Sequence, residues 1–322
     1  MHRTFVRCLA ALSLAAGMTA VAHAWPERPI TFVVPSAAGG SPDVLSRVVT
    51  TQLSKDLNTP VVVENRPGAA GNIGIELIKR AAPDGYTIGY GNINTLAVNR
   101  SLFNKLPYDV DQHLEPVAHL FNLYNVLIVP ANAPDKSLQD LIDRARANPG
   151  KLSYGASGVG TTGHMGGELF KAMAKLDVHF IPYNGGPAAI QDLLGNRLDF
   201  IFVNSSEAVP LIQAGRVRAL GVSSRHRLPL LPDVATLDEQ GIAGYETVSW
   251  GGVVAPKGTP ADVIEKLNAS INAALREPSV VEGLAKLGAE PAQGSPADFK
   301  RLIDDETLKW RRIIEDAGIE KL

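Results

Sequence analysis

Cysteine is all but missing from this sequence, with Cys8 the single one. One cysteine permits no intramolecular disulfide and no thiolate zinc cluster. An excess of positive charge is missing too: 31 Lys and Arg stand against 33 Asp and Glu, for a net charge of −2. Without an overall positive field the chain is not suited to nucleic acid or an anionic membrane, and any anion it binds must be held by local chemistry. Past residue 24 there is no apolar run of the roughly 20 residues that a membrane-spanning helix needs. The seven histidines include no His-x-x-x-His and no His-Glu pair, so a metal site finds no support. No Pro/Ser-rich or charged run divides the chain, and no cofactor is implied.

What is there is an ordinary globular composition: 322 residues, 45% hydrophobic, 20% charged and 6% aromatic, enough for two domains or one large one. The first 24 residues read differently. His2, Arg3 and Arg7 form a short basic region, residues 8–17 an apolar stretch, and Ala22-His23-Ala24 a small-x-small cleavage site, the pattern of a secretory signal peptide. Cys8 lies at the front of the apolar stretch, not at the cleavage point where a lipid-anchoring cysteine would stand, so it leaves with the signal. The chain from Trp25 onward is then free of cysteine, poorer by Arg3 and Arg7, and expected in solution outside the cytoplasm.

Short β-branched runs at 29–35, 60–64, 86–90, 126–130, 151–155, 178–182, 199–203 and 217–223 alternate with segments of helical period, which predicts βαβ units and parallel sheets covered by helices. Ser41-Pro42, Thr259-Pro260 and Ser295-Pro296 mark helix starts, and Ser137 with Asp140 has the spacing of a capping box. Gly318 is a helix stop. So many strands exceed one small sheet. The expected architecture is α/β with two lobes joined by crossing strands: residues 25–124 with 248–322 form the first, and 125–247 the second.

A recurrent design carries the chemistry, a strand ending in a glycine-rich turn that opens a helix. The first turn is Ser36-Ala37-Ala38-Gly39-Gly40-Ser41-Pro42-Asp43 and the second Ser157-Gly158-Val159-Gly160-Thr161-Thr162-Gly163-His164; Pro67-Gly68-Ala69-Ala70-Gly71 is a third candidate. Such turns leave N–H groups unpaired at a helix N-terminus, which favours an anion, and glycine lets a ligand approach the backbone. The bland alternative for any one of them is a tight connection. Gly158-x-Gly160-x-x-Gly163 matches the dinucleotide fingerprint, but the following strand ends without the carboxylate that would hold a ribose, and Asp177 lies at its wrong end. No Gly-Lys-Ser/Thr follows either turn, so neither is a P-loop. A hydrolytic triad drawn from Ser157 and His164 lacks a Gly-x-Ser-x-Gly elbow. Asp43 and Arg47, four apart, read as a helical ion pair that fixes the loop. Asn92, Asn94, Thr95, Tyr183, Asn184, Asn204, Ser205 and Ser206 follow strand ends, where ligands bind in open α/β sheets.

These residues resemble the Bug family, also called TctC, the substrate-binding proteins of tripartite tricarboxylate transporters. The resemblance is carried by Trp25-Pro26-Glu27-Arg28-Pro29-Ile30, the first turn, Val63-Glu64-Asn65-Arg66-Pro67-Gly68, Pro83-Asp84-Gly85-Tyr86-Thr87 and Leu106-Pro107-Tyr108-Asp109. It continues through Pro149-Gly150-Lys151-Leu152, Ile181-Pro182-Tyr183-Asn184-Gly185, Ala214-Gly215-Arg216-Val217, Leu231-Pro232-Asp233-Val234 and Ala255-Pro256-Lys257-Gly258-Thr259-Pro260. It implies a two-lobed periplasmic binding protein that closes over a small carboxylate and presents it to membrane permease subunits. It also implies that one carboxylate is gripped by backbone amides of the loops Ser36 to Asp43 and Ser157 to His164, with Asn92, Tyr183 and Asn204 touching the rest of the ligand. Two departures bear on that ligand: Ser36 stands where the family commonly has an aromatic residue, and Asn204 where an acid is frequent. A neutral amide there suits a di-, tri- or aromatic carboxylate better than an amino acid. A monomer is the simplest assembly. A sensor subunit feeding a membrane kinase, and an exported hydrolase, are the alternatives left open.

Overall fold

The computed structural model describes residues 25–316 and 318–321, so the signal peptide expected at 1–24 lies outside the described residues. From Trp25 the chain enters β1 (Ile30–Val34), α1 (Ser41–Asp56), β2 (Val61–Asn65), α2 (Asn72–Arg80) and β3 (Thr87–Asn92). β1 pairs in parallel with both β2 and β3, as βαβ connections require. A π-helical turn (Asn94–Val98) and two short helices, α3 (Asn99–Leu102) and α4 (Val110–His113), lead into the 17-residue strand β4 (Leu114–Pro130).

β4 joins the two parts of the sheet. Its first stretch, residues 114–124, pairs antiparallel with β9 (Val248–Pro256) and β10 (Ala289–Pro291), and β9 carries the ladder on to β3. Its last stretch, 125–130, pairs with β7 (Phe200–Asn204) and β8 (Val217–Val222). Beyond β7, the short strands β5 (Ser153–Ala156) and β6 (His179–Pro182) complete the order β2-β1-β3-β9-β4-β7-β5-β6, with β8 and β10 also on β4. Helices α5 (Leu138–Ala147), α6 (Thr162–Ala174), α7 (Gly186–Leu194) and α8 (Ser205–Gln213) cover the second part of the sheet. α9 (Ala261–Ala274), α10 (Pro278–Lys286) and α11 (Pro296–Asp316) return to the first.

The β-branched and aromatic runs of β1 and β7 form strands buried on both faces. In β7, Phe200 and Phe202 join a core with Tyr154 and Phe170, while Ile201 and Val203 point the other way into a core with Val126 and Ile128. In the first part, Phe32 packs with Leu45 and Leu267 on one face, and Val33 with Trp250, Phe299 and Trp310 on the other.

Helix starts follow their sequence signals with two differences, one at α1 and one at α9, where Pro260 is the cap and the Thr259 hydroxyl donates back to the Pro256 carbonyl. Ser137 and Asp140 form the reciprocal capping box at α5, and Ser295 with Asp298 does the same before α11. At α1 the cap is Gly40, and Ser41 is the first helical residue. The Ser41 hydroxyl is engaged elsewhere, 2.6 Å from Ser206 Oγ of α8.

Candidate ligand-binding cleft

Three glycine-rich turns meet at a cleft of about 770 Å³ between the two parts of the sheet. The turn after β1 contributes Ser36, Ala37, Gly40 and Ser41 to its wall, the turn after β2 contributes Gly68 to Gly71, and the turn after β5 contributes Ser157, Gly158, Thr161 and Thr162. Strand ends add Asn92, Asn94, Thr95, Tyr183, Asn184 and Asn204, and Tyr90, Phe103 and Leu123 supply apolar surface. Among the described residues no acceptor pairs with the N–H groups of Ala37, Ser157 or Gly158. These are donors at the mouths of α1 and α6, where the helix dipoles also favour negative charge.

Ser205 and Ser206 of the strand-end set do not line the wall, and neither do five residues of the two turns expected at the ligand: Ala38, Gly39, Asp43, Gly160 and His164. Four of them set the backbone behind it. Gly39, at φ +79°, occupies the third position of the turn that Gly40 N–H closes onto the Ala37 carbonyl. Asp43 accepts from Gly39 N–H at 2.9 Å, from Arg47 Nε at 2.9 Å and from Asn65 Nδ2 at 3.0 Å. Burial alone would raise the Asp43 carboxyl, but those three partners outweigh it and hold it below the usual aspartate range. Asp43 and Arg47 thus form a loop-fixing pair. In the other turn, Gly160 N–H donates to His164 Nδ1 at 3.1 Å, and the imidazole ring lies 4.0 Å from that of Phe180. Burial brings the His164 imidazole down to about 4, so it is neutral and acts as an acceptor.

The polar side chains on the wall are pre-set. Asn204 Oδ1 accepts from Asn125 Nδ2 at 3.1 Å, which leaves the Asn204 amide NH₂ for the cleft. Asn92 Oδ1 accepts from Thr95 N–H at 3.2 Å. The Tyr183 hydroxyl donates to Asp192 Oδ2 at 2.7 Å, so Tyr183 offers its ring to the cleft and its hydroxyl to the scaffold.

Besides the apolar Tyr90, Phe103 and Leu123, two parts of the wall were not among the site residues chosen from the sequence. The third turn was noted there only as a candidate; its Ala69 and Ala70 stand at φ +46° and +54°, sparsely populated for alanine and held by Gly71 N–H on the Gly68 carbonyl and Asn99 Nδ2 on the Ala70 carbonyl. Glu207 was missed outright. It stands in the first turn of α8, three residues after Asn204, and is the one described residue lining the cleft with a formally charged side chain; among the described residues no Lys, Arg or His lines it. Its place directly after the Asn204-Ser205-Ser206 strand end was the signal available.

A cleft between the two parts of the sheet, rich in backbone donors, is the geometry of a solute-binding protein of the periplasmic type. The model of the tripartite tricarboxylate transporter family receptor, TctC, matches residues 45–319, and the chain belongs to that family. A UPF0065 protein from the tcbD-tcbE intergenic region of Pseudomonas sp. strain P51 is 41% identical over 292 residues, covering 90% of this chain and 87% of that one. Among solved structures, R. palustris Rpa4515 with adipate is 37% identical with a TM-score of 0.90, covering 92% of this chain and all (100%) of that one. MatC from Rhodopseudomonas palustris with bound malate is 31% identical with a TM-score of 0.85, covering 90% of this chain and 100% of that one.

Proposed function

We propose that this protein captures a small di-, tri- or aromatic carboxylate between lobe 25–124/248–322 and lobe 125–247, and delivers it as a monomer to the membrane subunits of a tripartite tricarboxylate transporter. The signal read at 1–24 would place it in the periplasm. The observation that carries this reading is the set of unpaired N–H groups on Ala37, Ser157 and Gly158 at two helix mouths in a cleft that no Lys, Arg or His among the described residues lines. Hydrogen bonds to an ionised acceptor are roughly twice as strong as neutral ones and gain further where water is excluded, so a carboxylate can be held without a formal positive charge. The adipate and malate held by two relatives are ligands of that class.

A thermal-shift screen of mono-, di- and tricarboxylates, aromatic acids and amino acids tests it. A carboxylate at 100 times its dissociation constant stabilises by about 2.7 kcal/mol and raises Tm accordingly. The Asn204 amide predicts that a deaminated carboxylate outranks the amino acid of the same skeleton. A panel in which only amino acids or non-acidic solutes raise Tm would sink the reading. Crosslinking to membrane subunits with and without ligand tests the delivery step.

A further inference from the structure

The cleft argued above to take a carboxylate already contains one. Glu207 projects from the first turn of α8 onto its wall, close enough to Ser41, the first residue of α1, for the Ser41 N–H and hydroxyl to favour its ionised form. The group packs so closely on Gly186 that any side chain there would collide with it. Ser206, its neighbour, is joined to Ser41 as well. Glu207 therefore stands beside the same helix mouth whose free Ala37 N–H would receive the ligand.

No charge nearby offsets it. β7 has no ionisable residue, and β4 carries its Glu115 and His119 in the other part of the sheet. Arg218 of β8 bonds to the carbonyls of Ala131 and Asp135. On α1, Asp43 and Arg47 hold one another, and on α7 Asp192 is taken by Tyr183 and Arg197. Lys286, at the end of α10 near the Ser205–Gly288 contact, pairs with Glu282. Two carboxylates placed together without a counter-charge do not both stay ionised.

We propose that Glu207 is a ligand-contacting residue that binds carboxylates in its neutral form: on capture it takes one proton from solvent, keeps it, and donates a hydrogen bond from that proton to the ligand carboxylate. This rests on the carboxylate reading above. Burial supports it by pushing the Glu207 carboxyl up to about 7 before any ligand arrives, against the opposing influence of Ser41.

The test is calorimetry on the full protein, using whichever carboxylate of the thermal-shift panel binds most tightly, in phosphate and in Tris at pH 7. The difference in heat between the buffers counts protons, and the expected uptake is about half a proton per ligand, since a group titrating near 7 is half-ionised there. Affinity falls about tenfold from pH 6 to pH 8, because only the protonated fraction is competent. Glu207→Gln removes both the uptake and the slope. Carbon-13 shifts of the Glu207 carboxyl in the wild type, with and without ligand, give the same answer if the variant does not fold: its titration moves to higher pH on binding. Tight binding with no proton uptake, or unchanged uptake in a folded E207Q, overturns the role of Glu207 and leaves the carboxylate reading standing. A panel with no binding carboxylate overturns both.

Discussion

Gly39 and Gly160 sit at φ +79° and +76°, one in each loop of the proposed grip, and neither offers its own N–H to the cleft. Gly39 N–H is held by Asp43 and Gly160 N–H by His164, so these glycines shape the loops whose neighbours present the donors. Gly160→Pro imposes a φ near −65°, removes the bond to His164, and is expected to lower carboxylate affinity by more than about 100-fold. Gly39→Val meets no atom within 4 Å, so its cost is backbone strain of about 1–2 kcal/mol, and binding weakens without loss of fold. Arg47→Ala behaves differently. Its side chain is half exposed, and Asp43 keeps Gly39 and Asn65 as partners, so affinity should stay within about threefold and stability within about 1 kcal/mol. Titration calorimetry on the three variants separates these outcomes, and an Arg47→Ala protein that bound nothing would show that the grip depends on a side-chain cation.

Among the elements, the joint between the two parts of the sheet depends on Ser223, just past β8. Its N–H donates to the Asn125 carbonyl at 2.9 Å and its carbonyl accepts from Thr247 N–H at 3.0 Å. Its hydroxyl accepts from Asn125 N–H at 2.9 Å and donates to the Thr247 carbonyl at 2.7 Å. One buried side chain thereby ties β4 to the segment entering β9 where both strands cross. Ser223→Ala leaves an N–H and a carbonyl without partners in a fully buried place, and should cost about 1–3 kcal/mol, read as a lower Tm in differential scanning calorimetry. An unchanged Tm would mean that the two crossings are held by packing alone.

The same strands show how far the sequence was legible. The runs that became β1 and β7 were readable because a strand buried on both faces is nearly apolar throughout, and β2, β3 and β8 because their β-branched and aromatic residues cluster between turn signals. The stretch 114–125 of β4 was not, and the reason is register. The pairing with β9 slips between Pro116 and Ala118 and again between His119 and Phe121, leaving Val117 and Leu120 as bulged residues. Each bulge resets the inside-outside alternation, so no period of two survives in the sequence; Pro116, which has no N–H to give a ladder, stands beside the first. At the cleft, the glycine turns were visible because their chemistry is local. Glu207 was not, because its meaning comes from Ser41 and Gly186, which are distant in sequence and belong to other elements.

For the molecule as a whole, the buried His164 and the partly buried His119 and Glu207 tie stability to pH with opposing signs. Burial lowers the imidazoles of His119 and His164 to about 4, so the unfolded chain binds the extra protons between 6.5 and 4. Their contribution is complete above pH 6.5 and is lost as the pH falls toward 4. Glu207 is raised to about 7 from an ordinary 4.5, so the folded chain binds the extra proton, and the stability it adds grows as the pH falls from 7 toward 4.5. Between pH 7 and pH 5 that gain is on the order of 2 kcal/mol, and it offsets much of what the histidines remove. The wild-type Tm should therefore fall by only a few degrees across this interval, the net loss being on the order of 1.5 kcal/mol. In Glu207→Gln the offset is gone and the histidine term acts alone, so Tm falls on acidification by roughly 4–8 °C more than in the wild type. His164→Asn should tilt the curve the other way, toward greater stability at pH 5 relative to pH 7. Melts of the three proteins at pH 7, 6 and 5 decide the matter: parallel curves for wild type and E207Q would mean that Glu207 is ionised in the empty cleft, and that it is the ligand, and not burial, that brings the proton.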